Sequence, residues 1–350
     1  MSLITGIQQV GIGVTNADEA KLLYKSLFGM DVVIFEDEAE ASLMTQYTGK
    51  ELHTRKAILS LNMSGGGGFE IWQYTSRAPK HSAELASLGD TGIFAVKIKT
   101  EDVASAYSHF TAQNTITLSP LFTGPDSRKH FWLRDSNQNL FNITEGDDWF
   151  TSAGHCGGVN GAVIGVTDME RSLLFYKEVL GINEQVYDIT SSITDSPDEQ
   201  SKDVLFRRVL LKKTVNSQGA FSRLLGGIEI ELIEAKNKKV KKTYANRYWG
   251  DCGFIHLCFD VLDMDLLKTQ SEQKGYPFTV DSDGSFSMGE SAGRFCYVED
   301  PDGTLIELVE THKVPILKKF GWYLNLKKRK HNRPLPNWMI GMLALNKIKS

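Results

Sequence analysis

Residues 250–310 carry the pattern that most restricts what this chain can fold into. The run Gly253–Val261 alternates with a period of two. Ile255, Leu257, Phe259 and Val261 fall on one face of a strand, and His256, Cys258 and Asp260 on the other. A helix is predicted over 263–274, stopped by Gly275 and Pro277. Two further strands, over 293–299 and 304–310, flank the turn Asp300-Pro301-Asp302-Gly303. In the last strand Leu305, Glu307 and Val309 share one face, and Ile306, Leu308 and Glu310 the other. The unit is β-α-β-β-β, with a histidine in its first strand and a carboxylate in its last.

Three more stretches repeat it. Val14, Tyr24, Lys25 and Gly29 recur as Val166, Tyr176, Lys177 and Gly181, each 152 residues on, which marks an internal duplication. Gly89-Asp90 recurs as Gly250-Asp251, and Asp135 and Glu145 recur as Asp300 and Glu310. In module one, over 4–79, the first strand puts Val10, Ile12 and Val14 on its apolar face. Gln9, Gly11 and Gly13 lie on the other, where missing side chains leave room for a ligand. Asn16 or Asp18 caps a helix that Gly29 ends. The last strand, Gly68–Tyr74, aligns Glu70, Trp72 and Tyr74. The glycines at 65–68 lack the Lys-Ser/Thr of a phosphate loop and read as a hairpin connection. Module two, over 89–148, has Ala95 where module four has His256, and Asn142 where it has Glu307. Module three has Gly161 at the Gln9 position and Glu231 at the Glu70 position. Its polar excursions over 188–203 and 236–246 read as surface loops.

The pattern GFIHLCFDV … FCYVEDPDGTLIELVE resembles the paired modules of the vicinal oxygen chelate superfamily, which includes glyoxalase I, bleomycin resistance proteins and extradiol dioxygenases. The resemblance covers residues 4–312. It implies an α+β fold of four βαβββ modules forming two cupped, barrel-like mixed sheets. A first glyoxalase-like domain is expected at 1–149, a second at 150–312, and a basic, helical tail at 313–350. In the superfamily, the first-strand His or Gln and the last-strand Glu of each module point into a cup and hold a metal. The corresponding pairs here are Gln9/Glu70, Ala95/Asn142, Gly161/Glu231 and His256/Glu307. If modules adjacent in sequence share a cup, the second half offers Glu231, His256 and Glu307. If module one shares a cup with module four, the metal ligands are Gln9, Glu70, His256 and Glu307. The crossed arrangement leaves one full set and one empty set, which is more economical than two partial ones.

The implied function is a metal-dependent, glyoxalase-like lyase or isomerase acting on a small molecule that chelates the metal through vicinal oxygens. Imidazole and carboxylate suit zinc, nickel, manganese or iron. Glu307 or Glu70 then serves as the catalytic base. An extradiol-type dioxygenase needs two imidazoles and one carboxylate, and Gly161 stands where module three would supply the second imidazole. A non-catalytic, sequestering protein of the same superfamily is a further alternative. Trp72, Tyr74 and Tyr297 are candidates to line an aromatic pocket, and Arg55, Arg77, Arg128 and Arg294 to grip an anionic group. His155-Cys156, in the small-residue linker over 147–158, reads as structural.

Charge separates the tail from the rest. Beyond residue 310 there are ten Lys or Arg and no Asp or Glu, leaving 29 basic against 43 acidic residues in the body. A nucleic-acid-binding body is thereby excluded. Trp322 and Tyr323 stand near the basic run 327–330, and a short apolar helix is predicted over 337–346. Such a tail suits docking on the acidic body as a lid or dimer arm, or a peripheral membrane contact. The chain shows no signal-peptide pattern or 18-residue apolar run, and its four cysteines lack metal or staple spacing, so a cytoplasmic location is expected.

Overall fold

The computed structural model describes residues 3–152, 154–283, 286–288, 291–317, 321–327, 329 and 333–348. Module one contributes β1 (Ile4–Gly13), α1 (Ala17–Phe28), β2 (Val32–Glu40), β3 (Thr54–Leu61) and β4 (Gly68–Tyr74). Module two follows with β5 (Gly92–Thr100), α2 (Val103–Thr111), β6 (Thr117–Leu118), β7 (Phe122–Thr123), β8 (Lys129–Arg134) and β9 (Leu140–Glu145). Module three holds β10 (Val159–Val166), α3 (Met169–Glu178), β11 (Glu184–Ser192), β12 (Leu205–Lys213), α4 (Ser222–Leu225) and β13 (Ile228–Ala235). Module four adds β14 (Gly253–Val261), α5 (Met264–Gln273), β15 (Val280–Asp281), β16 (Phe286–Met288), β17 (Ser291–Glu299) and β18 (Leu305–Leu317). The tail forms β19 (Trp322–Asn325), α6 (Asn337–Gly341) and a 3-10 turn over Met342–Asn346.

Local chemistry sets these boundaries. The Asn16 side chain accepts from the backbone N–H groups of Asp18 and Glu19 and starts α1, and Gly29, left-handed at φ 63°, ends it. Asp102, Asp168 and Asp263 cap the first helices of the other three modules in the same way.

The strands assemble into two curled mixed sheets, and the modules cross between them. One sheet runs β15-β17-β18-β14-β1-β4-β3-β2, joining module four to module one through the antiparallel β1–β14 seam. The other runs β11-β12-β13-β10-β5-β9-β8-β6 and joins modules three and two. Contacts between modules adjacent in sequence persist elsewhere. The Tyr24 hydroxyl donates to Asp135, and Tyr176 donates to Asp300. The largest apolar cluster gathers β-strand faces from both sheets with α1, α2, α3 and α5.

Three expectations need correction. The polar excursion over 188–203 begins inside β11, an edge strand whose polar residues face solvent. The last strand of module four runs on to Leu317 and pairs with β19. Ile255 does not share a face with Leu257 and Phe259. The β1–β14 register slips between the Gly11–His256 and Ile12–Phe254 pairs, and the bulge sends Ile255 into the cluster around Trp72, Trp249 and Tyr297.

The predicted tail helix is present, divided between α6 and the 3-10 turn. Leu335, Ile340 and Leu343 are buried against module one and α4. Lys347 pairs with Asp31 at 3.0 Å, and the Leu335 N–H donates to the Ala220 carbonyl. Lys328 and Lys330 of the basic run lie outside the described residues.

Candidate metal centre

The β1–β14 seam brings the ends of the chain together inside one cup. Gln9 projects from β1, Glu70 from β4, His256 from β14 and Glu307 from β18, and all four are buried. His256 Nε2 lies 3.3 Å from Glu70 Oε2 and 3.0 Å from Glu307 Oε2. Gln9 Nε2 donates to both of those carboxylate oxygens at 3.2 Å. One donor atom from each of Glu70, His256 and Glu307 lies within 4.8 Å of the others. Gln9 sits next to a register slip at Gln8, so Gln8 and Gln9 both reach the same cavity.

The neighbours hold the imidazole in place. A β-carbon on Gly11 would lie 2.6 Å from His256 Nε2 and 2.7 Å from Nδ1, so the space that glycine leaves is filled by the ring. His256 Nδ1 is 3.1 Å from the Tyr297 hydroxyl, and the two rings meet edge to face. Burial works against charge on His256, but Glu307 and Glu70 outweigh it and raise the imidazole to about 9. Burial likewise opposes the Glu307 carboxylate, and His256 overrides it, holding that carboxyl below its usual range.

Two atoms in this cluster are orphaned. Among the described residues, neither Gln9 Oε1 nor His256 Nε2 has a hydrogen-bond partner, although both are buried. The carboxylates reach ion-pair distance of Nε2 without aligning for a hydrogen bond. Unpaired buried polar atoms are costly. A cation among these four groups would satisfy both atoms and neutralise the two carboxylates, so the donor set fits a divalent metal.

A cavity of about 370 Å³ opens from this cluster. Trp72 and Tyr297 line it as anticipated. Tyr74 does not, because its hydroxyl is turned to the Trp249 carbonyl. Of the four candidate arginines, Arg55 reaches the cavity wall, already paired with Asp37 at 2.9 Å. Arg77 pairs with Asp251, Arg128 with Glu229 and Asp126, and Arg294 with Asp281 and Asp265. Cys156 is buried, which pushes its thiol up to about 12, and His155 stacks on His109.

Residues 154–308 match the model of the Glyoxalase/Bleomycin resistance protein/Dioxygenase superfamily. The match covers modules three and four, and it supports the vicinal oxygen chelate superfamily for this chain. No curated protein matches its sequence. Glyoxalase I from Zea mays shares its fold with a TM-score of 0.52 at 15% identity, over 87% of this chain and 92% of its own. A putative dioxygenase from Bacillus subtilis subsp. subtilis str. 168 gives 0.55 at 11% identity, over 89% and 86%.

The second cup has a different content from the one expected of a glyoxalase-superfamily site. Glu231 is there, but it is surrounded by the chain's own cations. Arg208 bridges Glu231 and Asp195 at 2.6 and 2.7 Å, and Lys97 lies 3.5 Å from Glu229 and 3.6 Å from Glu231. Tyr187 donates to Glu231 at 2.8 Å. Burial alone would raise the Glu231 carboxyl, yet Arg208 and Lys97 hold it down to about 2. Ala95 is buried and inert, and Asn142 is bonded to His130. Strand pairing puts Leu59 opposite Glu70 and Leu210 opposite Glu231, so Arg208 corresponds to Ala57. A small residue keeps one cup open where an arginine fills the other.

Proposed function

We propose that this protein is a metal-dependent, glyoxalase-like lyase or isomerase of the cytoplasm, acting on a small molecule that binds the metal through two adjacent oxygens. The observation that carries this reading is the convergence of Glu70, His256 and Glu307, buried, from two modules, with Gln9 Oε1 and His256 Nε2 unpaired between them. Gln9, Glu70, His256 and Glu307 would hold a divalent ion such as zinc, nickel, manganese or iron. Once bound, that ion supplies Lewis acidity toward the substrate's oxygens.

The chain's own groups account for the remaining chemistry. With a metal bound, Tyr297 accepting the Nδ1–H of His256 would leave the Nε2 lone pair facing the cluster. Glu307 or Glu70 acts as the base that lifts a proton from the carbon beside the chelating oxygens and returns it to the neighbouring carbon. Burial keeps bulk water from competing for that proton. Gln9 stands where a second imidazole would complete a dioxygenase triad, which favours proton transfer over oxygen chemistry. The four cysteines are buried and free, in keeping with a reducing compartment. Among the described residues no helix is long and apolar enough to cross a membrane.

Elemental analysis of untagged protein, followed by assays against α-keto thiohemiacetals and catechols, tests the reading. Stoichiometric divalent metal that is lost in folded His256→Ala and Glu307→Gln variants is the expected result. Unchanged metal in both variants would overturn it.

A further inference from the structure

The walls of the cavity say what kind of molecule fits beside the candidate metal centre. We infer that the substrate's body is apolar, an aryl or short alkyl group attached to the carbons that bear the two chelating oxygens, rather than a charged thiol-peptide conjugate. The inference rests on the metal-centre reading for the oxygens and on the cavity alone for the body.

Four parts of the chain build the apolar wall. Leu59 and Trp72 come from module one, Phe295 from module four, Phe221 and Leu224 from the α4 region of module three, and Leu343 from the tail. The space of about 370 Å³ is at the small end of ligand sites, roughly 300–1,000 Å³. Among the described residues its charged lining is Glu40, Arg55, Glu70 and Glu307. Glu70 and Glu307 belong to the centre itself. Arg55, the one cation, is committed to Asp37 and lies over the Trp72 ring at 5.1 Å. Glu40 is exposed and would repel an entering carboxylate.

A peptide thiol brings carboxylates that must exchange water for fixed cations, and an unpaired charge buried here would be costly. An apolar body has the opposite balance. Each methylene moved from water onto this wall strengthens binding by about fourfold. Leu343 also makes the docked tail part of the specificity wall, so substrate choice depends on a segment outside the four modules.

The test is calorimetric titration of metal-loaded, full-length protein with 4-methyl-, 4-ethyl- and 4-butylcatechol and with the matching 4-alkylphenols. Affinity is expected to rise about threefold to fourfold per methylene in both series, and the Ala292→Leu variant, which fills the cavity, should lose the gain for the butyl compounds. A rise in both series with catechols tighter than phenols supports both readings. A rise in both with no catechol advantage supports the apolar body and overturns the metal centre. Flat affinity in both series, or tighter binding of the glutathione thiohemiacetal of methylglyoxal than of 4-butylcatechol, overturns the inference.

Discussion

Gly11 faces His256 across the seam between the first and last modules, and the imidazole occupies the volume a side chain at position 11 would need. Gly11→Ala should therefore turn the ring out of the cluster while leaving the strands paired. Overpacking of this kind costs about 1–3 kcal/mol, within reach of a stable fold. Metal affinity is expected to fall at least about tenfold, a difference of roughly 1.4 kcal/mol. Wild-type metal content in a folded Gly11→Ala protein would show that His256 is not a ligand.

Glu70 and Glu231 occupy matching positions in the two cups but have different surroundings. Glu70→Ala should release metal with little effect on stability. Glu231→Ala should leave metal in place and lower stability by about 3–5 kcal/mol, because Arg208 and Lys97 would be left buried without their shared anion. Metal analysis and denaturant unfolding of the two variants decide this, and metal loss in Glu231→Ala alone would move the site to the other cup.

The tail covers apolar surface. Removing residues 333–350 exposes the contacts of Leu335, Ile340 and Leu343, each contributing about 1.5–3 kcal/mol when fully buried. The truncated protein should melt several degrees lower and bind a hydrophobic dye. An unchanged melting temperature with lost binding to anionic vesicles would instead make the tail a membrane contact.

Asp300 gives the stability a pH dependence. Burial raises its carboxyl to about 6, although backbone N–H groups and Thr304 partly counter this. A carboxyl raised on folding binds its proton more tightly in the native state. Its contribution is therefore most favourable below the unfolded value near 4 and is lost as pH rises through 6, by on the order of 2–3 kcal/mol. In Asp300→Asn the decline between pH 4 and 7 should be smaller than in wild type. Equal slopes in chemical unfolding across that range would rule out Asp300 as the source.

Local signals explain how much of this protein was legible early. The alternation in Gly253–Val261 and Gly68–Tyr74 gave both strands their bounds, because successive side chains of a strand fall on opposite faces. Asn16 and Gly29 bounded α1 because an N-cap oxygen and a left-handed residue are needed at its ends. The repeat spacing put Gln9, Glu70, His256 and Glu307 at matching module positions. Bulges were not legible, since the slip that redirects Ile255 arises from how two distant strands fit together.

By itself, then, the sequence determined four modules, their strands and helices, and the residue types available to each cup. The tertiary structure alone decided which modules share a sheet. It put Gln9 within hydrogen-bonding reach of Glu307 across nearly the whole chain, and it sent Arg208 and Lys97 into the cup that has Ala95 at the His256 position. It also folded Leu343 onto the cavity. The physical reason is range. Capping and periodicity act over a few residues and leave a mark in the sequence, whereas pairing between distant strands depends on the summed fit of whole faces. No single residue records that sum.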